Sequence, residues 1–128
     1  MAKNKIILDS NIFIAFYYKE DSLHEEALSL LSSLDDYEII IPYCVIQEVS
    51  TILTYKLGKK VADDFLNDIQ NADTTLIINN DVQSEIEFFK TIKANLSFTD
   101  LALLHLSQKY DATLLTFDQQ LLKLYKKS

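Results

Sequence analysis

The sequence predicts an α/β domain in which helices cover both faces of a parallel sheet. Three observations carry that expectation. Short β-branched apolar runs stop abruptly at polar residues, as Lys5 to Leu8 does at Asp9-Ser10-Asn11. The segments between the runs repeat apolar residues at helical spacing. The runs are also continuously hydrophobic rather than alternating, which marks strands buried on both faces. At 128 residues the chain is expected to form one domain, residues 1–128, with a core that needs neither disulfides nor structural metal.

Lys5 to Leu8 reads as a buried strand followed by a turn. Ile12 to Lys19 and Ser22 to Leu34 read as helices. In the second, Leu23, Ala27, Leu30, Leu31 and Leu34 share one face, while Glu25, Glu26, Ser29 and Ser33 face water. Tyr37 to Ile41 is the next strand. Pro42 suits a helix start and Gly58 a helix end, so Pro42 to Leu57 is one helix with marked termini. Lys59 to Asn71 follows, with Val61, Phe65, Leu66 and Ile69 inward. Thr74 to Ile78 is a third strand, and Asp81 to Ala94 and Phe98 to Tyr110 are helices. Ala112 to Phe117 is a fourth strand, and Gln119 to Lys127 a last helix whose lysines complement its C-terminal end.

Composition removes several function classes. With 48% hydrophobic and 24% charged residues the chain is globular rather than disordered. A single glycine, Gly58, cannot build a Gly-rich dinucleotide or phosphate loop. One cysteine, Cys44, and two histidines, His24 and His105, exclude disulfide frameworks and zinc fingers; His24-Glu25 lacks the second histidine of a metalloprotease helix, since Leu28 stands there. All twelve basic residues are lysines, so no guanidinium fork is available for phosphate. A net charge of -7 and a pI near 4.7 oppose binding of nucleic acid by bulk electrostatics, and a nucleic-acid enzyme of this charge needs metal to offset it. Lys3 and Lys5 precede an apolar run that Asp9 breaks too early for a signal peptide, and no stretch is long enough to span a membrane. The expected location is cytoplasmic.

Most of the nineteen acids sit in connections or on solvated helix faces. Four stand out. Asp9 and Asp118 each end a strand, where parallel α/β sheets form their ligand crevice. If their strands are neighbours, the two carboxylates converge and need a cation. Glu48 lies among Cys44, Val45, Thr51 and Ile52 at helical spacing, and an acid in such a stripe either finds metal or hydrogen-bond company or snorkels to water. Asp100 opens a helix three residues after Ser97. Each has an ordinary duty: Asp9 and Asp118 as helix N-caps, Asp100 in a capping box. Those duties leave unexplained why the acids share one rim. His105 reads as a core-edge histidine and Cys44 as small core filling. Phe13, Phe16, Tyr17 and Tyr18 could stack on bases but suit helix packing or a subunit contact better.

At these acids the chain resembles the PIN-domain family, small metal-dependent ribonucleases that include the VapC-like toxins of toxin-antitoxin modules. The resemblance runs through Ile6-Ile7-Leu8-Asp9-Ser10-Asn11-Ile12-Phe13, Val45-Ile46-Gln47-Glu48-Val49, Leu96-Ser97-Phe98-Thr99-Asp100 and Leu114-Leu115-Thr116-Phe117-Asp118. It implies a three-layer α/β/α PIN-like domain around a parallel sheet of four to five strands. Asp9, Glu48, Asp100 and Asp118 would be the catalytic and metal-holding carboxylates, supported by Asn11 and Thr116. All-oxygen ligands suit Mg²⁺ or Mn²⁺, which makes a histidine base unnecessary. Gln119 and Gln120 stand where the family often has further charged residues, which leaves one metal or two open.

The resemblance implies an endoribonuclease acting on RNA, a homodimer and, for a toxin, a cognate antitoxin. A housekeeping RNA-processing nuclease and a non-cleaving RNA- or protein-binding module are the alternatives. A phosphoacceptor receiver domain fits poorly, because Asp9 stands alone and Asn79-Asn80 follows the third strand. Lys56, Lys59, Lys60 and Lys123 are candidate phosphate contacts.

Overall fold

A computed structural model describes residues 4–128. Lys3, part of the charged N-terminus considered above, lies outside them. The elements in chain order are β1 (Asn4–Leu8), α1 (Ser10–Tyr17), α2 (His24–Ser32), β2 (Tyr37–Pro42), α3 (Tyr43–Leu57), α4 (Lys59–Asn71), β3 (Thr75–Ile78), α5 (Val82–Thr91), α6 (Phe98–Lys109), β4 (Thr113–Leu115) and α7 (Gln119–Lys127).

The four strands form one sheet in the order β3-β2-β1-β4, and every pairing is parallel. The condition set on the strands of Asp9 and Asp118 is met: Leu8 pairs with Leu115, and the amide of Asp9 extends the ladder by donating to the Leu115 carbonyl at 2.9 Å. Parallel pairing forces crossovers, and the helices that make them bury Ile7, Leu8, Ile40, Ile41, Val45, Phe65, Leu103 and Leu114 around the central strands. The aromatic run of α1 packs as helices do: Phe13 meets the edge of Phe65 at 5.4 Å and Tyr17 meets it at 5.8 Å.

Three departures from the sequence reading have physical causes. The first helix begins at Ser10, two residues early, because Asp9 caps it by accepting from the Ser10 amide. Strand β4 stops at Leu115, since Thr116 and Phe117 direct their hydrogen bonds to Asp9 and Asn11 instead of the ladder. The edge strand β3 is not covered on both faces: Leu76 is 43% and Ile77 46% exposed, as α5 packs against α6. Gly58 joins α3 to α4 at φ 101° and ψ 165°, a region essentially reserved for glycine. Among the described residues no helix is long and apolar enough to cross a membrane.

Candidate active site

The carboxyl ends of β1 and β4 bring Asp9 and Thr116 together across more than a hundred residues of chain. Asp9 is 4% exposed. Its Oδ1 accepts from the Ser10 amide at 2.6 Å, and its Oδ2 accepts from the Thr116 hydroxyl at 2.6 Å and from Asn11 Nδ2 at 3.4 Å. Asn11 is fixed in turn, as its Oδ1 accepts from the Phe117 amide at 3.3 Å while its Nδ2 also reaches Thr116 Oγ1 at 3.3 Å. Thr116 Oγ1 accepts the Asp118 amide at 3.0 Å. One hydroxyl thus links the first and last of the four acids.

Asp118 caps α7 with Oδ1, which accepts from the amides of Gln120 (2.9 Å) and Leu121 (3.2 Å). Ser97 caps α6 by accepting from the Asp100 amide at 3.1 Å, the ordinary duty foreseen for that pair. The cap at Asp118 occupies one oxygen and leaves the second uncommitted. Glu48 is exposed and Asp100 half-buried, so the glutamate reaches water rather than lying in an apolar stripe.

Charge adds a weaker link between Asp9 and two of the other acids. Burial pushes the Asp9 carboxyl up to about 6, and the negative charges of Asp100 and Glu48 push it the same way, against the lowering by Thr116 and Ser10. None of the ion pairs among the described residues involves Asp9, Glu48, Asp100 or Asp118. Asp9 thus lies under the negative charge of Asp100 and Glu48 with no lysine paired to it.

Among the described residues no three of His, Cys, Asp and Glu converge closely enough to grip one ion directly. The donor set still fits a hard divalent cation that keeps several waters and takes one or two carboxylates, as Mg²⁺ does. It does not fit zinc, which draws on nitrogen and sulfur. Asp9 would hold such an ion, flanked by Glu48, Asp100 and the free oxygen of Asp118, with Asn11 and Thr116 orienting Asp9.

The candidate phosphate contacts have partners or exposure of their own. Lys56 stands over the Tyr18 ring at 5.4 Å, just past the C-terminal end of α1. Lys59 pairs with Asp63, and Lys60 with Asp64 at 3.3 Å. Lys123 is exposed on α7. His105 is half-buried against Phe88, with Nε2 3.1 Å from Ser84 Oγ, the core-edge role foreseen for it.

Three polar residues have roles that the sequence reading did not assign, and one of them, Glu85, was not singled out at all. The Ser10 hydroxyl is buried beside Asp9 without a hydrogen-bond partner. Glu85 is 3% exposed and accepts from Asn80 Nδ2 at 2.9 Å. Asn80 Oδ1 accepts the Cys44 amide at 2.8 Å. The buried acid beside an apolar stripe is thus Glu85 rather than Glu48. Its signal was available: Glu85 falls one helical turn before Phe88 and Phe89, where an acid requires a donor. Cys44 is half-buried in the first turn of α3, and its thiol is pushed up to about 11, chiefly by burial, so it is an unreactive thiol.

No curated protein matches the sequence. Among solved structures, the fold is similar to that of Mycobacterium tuberculosis VapC20, described as a sarcin-ricin loop cleaving toxin, at 17% identity and a TM-score of 0.81 over 93% of this chain and 94% of that one. It is also similar to FitAcB from Neisseria gonorrhoeae, at 14% identity and a TM-score of 0.66 over 94% and 93% of the two chains. At these identities the likeness is one of fold. The PIN domain family model matches residues 6–127, and the chain belongs to the PIN-domain family.

Proposed function

We propose that the chain is a Mg²⁺- or Mn²⁺-dependent endoribonuclease of the VapC-like kind, cytoplasmic, with Asp9, Glu48, Asp100 and Asp118 as its acidic rim. One observation carries the proposal. Asp9 is buried at the carboxyl end of the interior strand β1 under the charge of two further carboxylates with no cationic side chain among its partners, an arrangement that costs stability unless a ligand repays it. Family membership and the fold likeness to a loop-cleaving toxin support the same reading.

When bound, a divalent ion supplies charge neutralisation at the scissile phosphate and acidifies an attacking water. The chain's own part is positional. Thr116 and Asn11 hold Oδ2 of Asp9, the Ser10 amide holds Oδ1, and the α7 cap turns Asp118 so that one oxygen stays free. The preferred substrate is single-stranded or looped RNA, because a rim at a sheet edge reaches an exposed strand more readily than a duplex.

The inhibitor of such an enzyme would be a small basic antitoxin that sets an arginine or lysine against the four acids, and the enzyme would be a homodimer. The test is cleavage of matched single- and double-stranded RNA and DNA with added Mg²⁺, Mn²⁺ or chelator. Cleavage of single-stranded RNA that chelator abolishes is expected, and Asp118→Asn is expected to remove it with the fold intact. Undiminished cleavage in chelator refutes the metal site, and a preference for duplex DNA refutes the substrate. Growth arrest on expression, relieved by a small neighbouring reading frame, separates a toxin from a processing nuclease.

A further inference from the structure

We propose that Asn80, anchored by the buried carboxylate of Glu85, is a positioning residue that fixes the first turn of α3 and hence where Glu48 stands relative to Asp9. The inference rests on the ribonuclease reading above.

The N-terminus of α3 has no cap of its own. Pro42 occupies the N-cap position, and no side-chain cap bond forms there, so the first amides of the helix need acceptors from elsewhere. Asn80 supplies one. It follows β3 by two residues, and β3 pairs with β2 so that Ile78 lies opposite Pro42, which carries Asn80 past the sheet edge onto the start of α3. Its Oδ1 accepts the Cys44 amide at 2.8 Å, and its Nδ2 donates to Glu85 Oε2 at 2.9 Å with Cys44 Sγ at 3.4 Å. The amide of one residue therefore clamps α3 to the first turn of α5.

Glu85 suits the anchor role. It is 3% exposed, it lies in the first turn of α5, where the helix end favours negative charge, and Asn80 is the donor that its burial requires. No ion pair among the described residues involves it.

Glu48 is one helical turn beyond Cys44 on the same face of α3. Its charge is felt at both Cys44 and Asp9. No hydrogen bond among the described residues holds its carboxylate, which is exposed, so the path of the α3 backbone alone places it. Helix α3 is packed against α1 and α4, Val45 is buried in its first turn, and Asn80 ties the Cys44 amide beside it. Without that tie, the first turn of α3 can shift relative to β1, and a shift of about 1 Å at a reacting site costs on the order of a hundredfold.

The test measures Mn²⁺ binding to the RNA-free protein by electron paramagnetic resonance of free Mn²⁺, alongside the metal concentration that half-saturates cleavage and the unfolding temperature. Four proteins are compared: the native chain, Asn80→Ala, Glu85→Ala and Glu85→Gln. The carbonyl of a glutamine at position 85 still accepts from Asn80, so that variant keeps the clamp. The expected result is a rise of about 10- to 100-fold in the Mn²⁺ dissociation constant for Asn80→Ala and Glu85→Ala, with Glu85→Gln close to native. Native affinity in Asn80→Ala overturns the proposal. Equal losses in Glu85→Gln and Glu85→Ala also overturn it, because the charge of Glu85 would then act on the metal directly. Should Asn80→Ala fail to fold, the two Glu85 variants decide alone. A native chain that neither binds Mn²⁺ nor cleaves RNA would defeat the ribonuclease reading instead, and active native protein with unaltered variants defeats this inference only.

Discussion

Replacing Asp9 by asparagine should stabilise the metal-free protein, and by an amount that depends on pH. Burial and neighbouring charge raise the carboxyl from 3.8 to about 6, which at about 1.4 kcal/mol per pKa unit corresponds to about 3 kcal/mol. The folded state holds this proton more tightly than the unfolded chain does. Stability from this group is therefore fully present below the unfolded value, declines as pH rises through the interval, and is lost above about 6. Asparagine does not ionise and escapes the loss. It gives up the bond that the Thr116 hydroxyl donates to Oδ2, at a cost of about 1 kcal/mol. The net gain is about 2 kcal/mol near pH 8. Near pH 5 most native molecules already carry the proton, and the gain falls to roughly 0.5 kcal/mol. Urea unfolding of both proteins in chelator, followed by circular dichroism, measures the difference at each pH. For a chain of this length the gain near pH 8 amounts to roughly 8 °C in unfolding temperature. A gain that does not change with pH, or an Asp9→Asn protein less stable than native near pH 8, would show that the carboxylate is not held under electrostatic strain. Saturating Mg²⁺ should close the gap by stabilising only the native chain.

Thr116→Val removes the hydroxyl that lowers the Asp9 pKa, so the pH at which cleavage reaches half its maximum should move up; an unshifted profile would mean that Asp9 ionisation does not limit the reaction. The same change strips the Asp118 amide of its acceptor and should cost about 1–3 kcal/mol in denaturant unfolding. Gly58→Ala meets no atom within 4 Å yet has to adopt φ 101°, and backbone strain alone should cost about 1–3 kcal/mol in the same assay. Tyr17→Phe breaks the bond to Asp68 that ties α1 to α4 and should cost about 1 kcal/mol. In the native protein burial and Asp68 both raise the pKa of that phenol, so absorbance titration should find one tyrosine that resists ionisation, and it should be missing in the variant.

Features governed by neighbours in sequence were legible in advance. Gly58 ends α3, Pro42 stands one residue before its start as the last residue of β2, and the Ser97 and Asp118 side chains cap their helices where the spacing put them. The adjacency of β1 and β4 was the condition under which Asp9 and Asp118 could converge, and it holds, although β4 ends at Leu115, three residues before Asp118. Features that depend on distant packing were not legible. Whether a glutamate at helical spacing faces water or core depends on what the helix meets: Glu48 emerges into solvent and Glu85 is enclosed by Asn80 and Cys44. The exposure of Leu76 and Ile77 reflects where α5 docks, about which the apolar run of β3 carries no information. The pairing of Lys59 and Lys60 with Asp63 and Asp64 could have been read from four-residue spacing, although such exposed pairs contribute little.

The bonds joining Asp9 to Thr116, and Asn11 to Thr116 and Phe117, span 105 to 107 residues. Contacts of that separation form late, because nearly the whole chain must be ordered before they return any free energy. Strand β4 is the last strand to leave the ribosome, and until it docks on β1 the Asp9 carboxylate has neither its orienting hydroxyl nor Asp118 beside it. A growing or C-terminally truncated chain therefore possesses its first acid without a working rim. The proposed rim is thus complete only once the strand nearest the C-terminal end of the described residues has docked.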